Sequence, residues 1–239
     1  METAAPVDIV RRFSSQVDPK IRRNMVFRTV KELGPLELCN LLGYLCYSMP
    51  NIELAPIWLD VVLAALACID EAPERFQASY QHLSNHPRQL ALSFLIGTDD
   101  ACSAISGSEP AIYDYEDVPL GVRKTRARGQ NRSQLDVLRN DPAPSVIHIL
   151  LENPRLVETD VLRIAAKRPQ SAKTFYELVS SSRFGLRQPL ISAISMNPFT
   201  PIRLAIALVP MLPKGILKEV VTLTALDESI RQAANAFLT

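Results

Sequence analysis

Histidine, cysteine and glycine spacing decides what chemistry this sequence can do. His82 and His86 stand four residues apart, a spacing at which two imidazoles share a helix face and can hold a metal. Asn85 and Pro87 place a helix end at that point, however, and no third ligand lies close by. Solvated imidazoles at a helix C-terminus are therefore expected, where a positive ring also suits the helix dipole. His148 sits between Ile147 and Ile149 and is expected to be partly buried and hydrogen-bonded. Cys39, Cys46, Cys68 and Cys102 form no C-x-x-C pair, and the first three lie inside apolar helical patterns. They read as free thiols rather than a disulfide framework. Cys102 has no neighbouring base to activate it as a nucleophile. The eight glycines lie at 34, 43, 97, 107, 121, 129, 185 and 215. No two are separated by one residue and no two are five apart. That removes the dinucleotide fingerprint, the phosphate-binding P-loop and the G-x-S-x-G nucleophile elbow. No catalytic residue, no metal site and no cofactor is expected, and the chain does not read as an enzyme.

The elements around these residues follow from composition. The chain has 239 residues, 47% hydrophobic and 21% charged, with 8 Gly and 18 Pro. Average usage is about 7% Gly and about 5% Pro, so this sequence is glycine-poor and proline-rich. That balance suits helices started and stopped by proline, and suits hairpins badly. A net charge of +1 gives no global drive towards nucleic acid or an anionic membrane. The longest apolar run, residues 61–69 between Asp60 and Asp70, is far short of the roughly 20 residues that span a bilayer. The opening METAAPVDIVRRF lacks a basic-then-apolar signal pattern. A cytoplasmic protein without membrane insertion is expected.

Helical periodicity recurs throughout. Val7, Ile9, Val10 and Phe13 make a short stripe. Asp18-Pro19 reads as an N-cap with proline at the first helical position. Ile21, Met25, Val26, Val30 and Leu33 continue that helix to Gly34-Pro35, which starts another over 35–48. There Cys39, Leu42 and Cys46 share a face. Ala55-Pro56 opens a helix to about residue 69 that is apolar nearly all round and is expected to be the central buried element, with Trp58 in the core. Pro73 and Pro87 open two more, ending near 83 and 96.

The texture then changes. From 99 to 122 there are six acidic residues and no basic one. From 123 to 132 there are five basic residues and no acidic one. The expected organisation is an N-terminal helical domain over 1–96, a linker or long loop over 97–133 and a helical repeat domain over 134–239.

Two Asn-Pro pairs, Asn153-Pro154 and Asn197-Pro198, punctuate the second half. They stand 44 residues apart, a spacing within the roughly 40–47 residues of HEAT and armadillo units. The residue before proline leaves the α region and ends a helix, and proline pre-sets the entry to the next. Residues 226–238, LDESIRQAANAFL, resemble the second helix of a HEAT repeat, with Asp227, Ile230, Arg231, Ala234 and Leu238 in the family's characteristic places. Asn-Pro-x-x-Pro at 197–201 and Asn-Pro followed by Asp160-Val161-Leu162 are similar to bacterial leucine-rich repeat variant proteins. The resemblance covers residues 135–239. It implies an all-α HEAT-like solenoid, joined to an N-terminal helical bundle or irregular repeats. Such variants can carry a cysteine cluster for an iron–sulfur centre, but the cysteine spacings of 7, 22 and 34 here do not supply its close pairs.

What remains is recognition. Tyr113 and Tyr115 amid acids, followed by Arg123, Lys124, Arg126, Arg128 and Arg132, read either as a solvated tether or as a docking segment. Arg163 and Arg203 belong to an arginine set that a solenoid presents along a surface. The expected function is a non-enzymatic scaffold or adaptor that binds another protein. The alternative is nucleic-acid binding through the arginine-rich surface, since HEAT-like solenoids include DNA-repair glycosylases. A third reading is a regulatory subunit switched by phosphorylation at Ser103, Ser106, Ser108, Tyr113 or Tyr115.

Overall fold

The computed structural model describes residues 5–49, 52–83, 89–96 and 118–238. Among these the chain is all-helical. In chain order the helices are α1 (Pro6–Ser14), α2 (Pro19–Glu32), α3 (Pro35–Ser48), α4 (Ala55–Cys68), α5 (Pro73–His82), α6 (Leu120–Arg128) and α7 (Arg132–Leu138). They continue as α8 (Pro144–Glu152), α9 (Glu158–Ala166), α10 (Ala172–Ser180), α11 (Gln188–Ser195), α12 (Ile202–Leu208), α13 (Lys214–Thr222) and α14 (Glu228–Asn235). Short 3-10 segments lie at Ile52–Leu54, Gln89–Leu95 and Val209–Met211. Proline occupies the first or second position of seven of the α-helices, where its missing N–H costs nothing. Asp18 caps α2 by accepting from the amides of Lys20 and Ile21. No helix among the described residues is long and apolar enough to cross a membrane.

The chain divides into two compact units, Met1–Asp99 with Ile202–Thr239, and Asp100–Pro201. This differs from the expected division in two ways. Residues 202–239 pack with the N-terminal helices, so 134–239 is not one body. The expected linker over 97–133 is helical from Leu120 onward. The reason is burial. Leu204, Ala205, Ile206, Ala207 and Leu208 of α12 are all at most 1% exposed, so past Arg203 the helix has no polar face and needs partners all round.

In the first unit, α1 packs on α3, α2 on α4 and α3 on α5. The 89–95 segment packs on α5, α12 and α14, and α13 pairs with α14. The core holds the buried Phe13, Phe76 and Phe94, and the α4 residue Trp58 is fully buried too. Trp58 meets Phe94 edge to face, with ring centroids 6.4 Å apart, and its Nε1–H donates to the Ala207 carbonyl at 2.9 Å. Asp60 interrupts the apolar run of α4, and α2 answers it. Arg22 Nε and Arg23 Nε donate to its two oxygens at 2.7 and 2.9 Å. Cys39, Cys46 and Cys68 are buried and form no disulfide, and burial raises the pKa of Cys39 and Cys68. Cys102 and His86 lie outside the described residues.

In the second unit, α6 packs on α8, α8 on α10 and α9 on α11, whereas α7 packs on its neighbours α6 and α8. Helices α8 to α11 start 14, 14 and 16 residues apart, so a helix pair recurs every 28 to 30 residues. Three helices, α9 to α11, lie between Asn153 and Asn197. Their 44-residue separation therefore counts three helices and is not the length of a pair.

Candidate interaction surface

The same side-chain device ties α8 and α11 each to the helix two places before it. Asn153, just past α8, is buried. Its Nδ2 donates to the carbonyls of Ala127 and Gly129 at the end of α6, at 2.7 and 2.8 Å. Its Oδ1 accepts from the Arg155 amide at 2.9 Å. Asn197, just past α11, repeats the set against α9. It donates to Ala165 and Lys167 at 2.8 and 3.0 Å and accepts from Phe199 at 3.0 Å. Each asparagine thus satisfies carbonyls orphaned at a helix C-terminus and closes its own Asx-Pro turn. Asp141 forms the third such turn, accepting from the Ala143 amide at 2.9 Å. A carboxylate cannot donate, so its other partner is a cation: Arg123 Nη1 at 2.5 Å.

These contacts fix α6 and set α7 beside it. The Asn131 side chain caps α7 by accepting from Ser133 and Gln134. Arg132 forks onto Asp160 through two bonds of 2.7 and 2.6 Å, and Arg139 donates to the same carboxylate, which is 1% exposed. Burial pushes the Asp160 pKa up. The bonds from Arg132, the Val157 amide and Arg139 outweigh it and hold the carboxyl at about 2, against an ordinary 3.8. A group depressed in this way contributes stability above pH ~4 and loses it as pH falls through ~2. The span corresponds to about 2 kcal/mol. Chemical denaturation of wild type and D160N should therefore show a gap that is widest near pH 5 and narrows towards pH 2. A gap independent of pH over that range would remove the assignment.

The candidate residues read from the sequence do not form one set. Tyr113 and Tyr115 lie outside the described residues, as do Ser103, Ser106 and Ser108. Arg123, Lys124, Arg126 and Arg128 share α6, with Arg126 and Arg128 exposed. Arg123 is held against Asp141 inside the fold, and Arg132, half-exposed, pairs with the buried Asp160. Arg163 is exposed on α9. Arg203 belongs to the other unit, where it pairs with Asp70 at 3.2 Å. His148 departs from expectation. The inward face of α8 is taken by Val146, Ile147 and Leu150, so the ring is exposed, with Nδ1 2.7 Å from Glu177 Oε2. His82 ends α5 on the surface, as its helix-end position required.

One feature was not singled out from sequence, and a second was read only as an arginine set without its local balance. The first is a groove of about 320 Å³ at α6 and α7, lined by Val118, Arg123, Arg126, Ser133, Gln134, Val137 and Leu138. The signal was present in Leu135, Val137 and Leu138: Leu135 and Leu138 share a face and are buried, which leaves Val137 off it and 56% exposed. The second is local charge. Residues 118–201 hold thirteen basic and six acidic side chains, a net +7 hidden inside the chain's +1. Nine of those basic residues are exposed, whereas Glu152 is the one exposed acid of the segment. No group of three or more His, Cys, Asp or Glu side chains suited to a metal occurs among the described residues. Comparison of the chain with protein-family models, curated proteins and solved structures gives no match.

Proposed function

We propose that this chain is a non-enzymatic helical-repeat scaffold or adaptor whose second unit, a short HEAT-like or leucine-rich-repeat-variant-like stack, binds another protein. The observation that carries the reading is the nine-to-one excess of exposed basic over exposed acidic residues along 118–201. Such an excess costs self-repulsion in the free protein and is relieved by an anionic partner. The stacking of α6 on α8, α8 on α10 and α9 on α11, tied at two places by Asn153 and Asn197, supports a repeat architecture, because such units shelter their apolar faces on their neighbours. Affinity purification of the tagged full chain should recover a specific acidic protein partner. Recovery of none, under low-salt conditions and with crosslinking, overturns the reading.

The same charge favours a second reading, nucleic-acid binding by backbone contacts. Against it, none of the aromatic residues of 118–201 is exposed to stack a base. Phe175 and Phe184 are buried, and Tyr176 and Phe199 are partly so. A low-salt gel shift with single- and double-stranded DNA and RNA decides between the two.

A further inference from the structure

The α6–α7 groove joins two properties that seldom coincide on a helical surface. Val118, Val137 and Leu138 give it apolar walls, and Arg126 stands exposed at its side. Val122 lies one turn before Arg126 on the same face of α6 and is 42% exposed. Arg123 also lines the groove, but it is committed. Its Nη1 donates to the buried Asp141 and its Nε to the Val118 carbonyl at 3.2 Å. It therefore holds the wall in place and leaves Arg126 as the cation that faces outward. A volume of about 320 Å³ sits at the lower end of the roughly 300–1,000 Å³ typical of ligand sites, room for one or two side chains.

A phosphate backbone has no use for apolar walls, and an apolar peptide alone has no use for a stretch, residues 118–201, of net +7. We propose that this groove docks an acidic peptide segment of a protein partner, seating a large apolar side chain against Val118, Val137 and Leu138 with a flanking carboxylate on Arg126. The surrounding positive field speeds the encounter, and the apolar seat sets the register. The inference rests on the protein-binding reading above and names the chemistry of the partner.

The test is fluorescence anisotropy of the full chain with two labelled peptides of equal charge, EEDLFEDE and EEDSSEDE. The first should bind about tenfold or more tightly than the second. Arg126→Glu and Val137→Ser should each weaken the first peptide about tenfold, while Arg187→Glu, exposed and outside the groove, should change it less than about twofold. Val137 is exposed, so Val137→Ser should keep its thermal midpoint, which is measured alongside. Equal binding of the two peptides, or an equal loss in Arg187→Glu, means diffuse attraction and overturns the groove. An oligonucleotide that binds more tightly than EEDLFEDE and is unaffected by Val137→Ser overturns it in favour of nucleic acid. If neither peptide binds but affinity purification still yields a partner, the groove falls and the scaffold reading stands. If the peptide binds through the groove and no partner is recovered, the groove stands and the scaffold reading falls.

Discussion

Deleting residues 202–239 should unfold the first unit. Leu204, Ile206 and Leu208 are all buried to at least 99%, and each such side chain contributes about 1.5–3 kcal/mol by leaving water. Together they supply about 5–9 kcal/mol, a sum comparable to the whole stability of an ordinary domain. The deletion also removes Ala207, whose carbonyl accepts from Trp58, and uncovers Phe94 and Leu92 of the segment packed on α12 and α14. A buried indole N–H left without an acceptor costs a further ~1–3 kcal/mol. Trp58 is the only tryptophan, so its emission reports this unit directly. The expected result is a red-shifted emission maximum and loss of the cooperative melt followed by Trp58. An unshifted maximum with an intact melt would show that residues 1–99 fold without the tail.

That expectation separates what the sequence could reveal from what it could not. The prolines and the Asp18 cap are local signals, acting within one turn, and they placed α2 to α5 within two residues of their observed ends. The destination of α12 is a long-range fact. Apolar periodicity says that a face must be buried and is silent about what will bury it. One clue was available. Residues 204–209 and 61–69 are the two continuous apolar runs without a polar face, and α4 and α12 do pack together. The candidate site was legible to a similar degree. The basic block of α6 was visible, but the buried Asp141 and Asp160 had to be placed before Arg123 and Arg132 could be recognised as structural. Their partners lie 18 and 28 residues away, beyond the reach of helical spacing.

The Asn-Pro marks give the sharpest test of the architecture. Each asparagine uses both ends of its amide, donating twice to helix-end carbonyls and accepting once from its own turn. Asn153→Ala removes all three bonds and strands two carbonyls, an expected loss of about 3 kcal/mol. Asn153→Asp keeps the acceptor, yet sets an anionic oxygen where two carbonyls stand within 3 Å. It should cost more than alanine, because the new group must either take up a proton or pull the α6 end open. Asn197→Ala and Asn197→Asp should follow the same order at the end of α9. Asp141→Asn is the mirror case. It preserves the turn and deprives Arg123 of its counter-charge, a loss of several kcal/mol for a buried pair. Asn131→Ala, at an exposed cap, should cost only about 0.5–1 kcal/mol. Denaturant melts order the series, and hydrogen exchange at the end of α6 locates the damage. If aspartate proves milder than alanine at 153 and 197, the two donor bonds are not what joins each helix to the one two places before it, and the repeat reading of the second unit loses its clearest support.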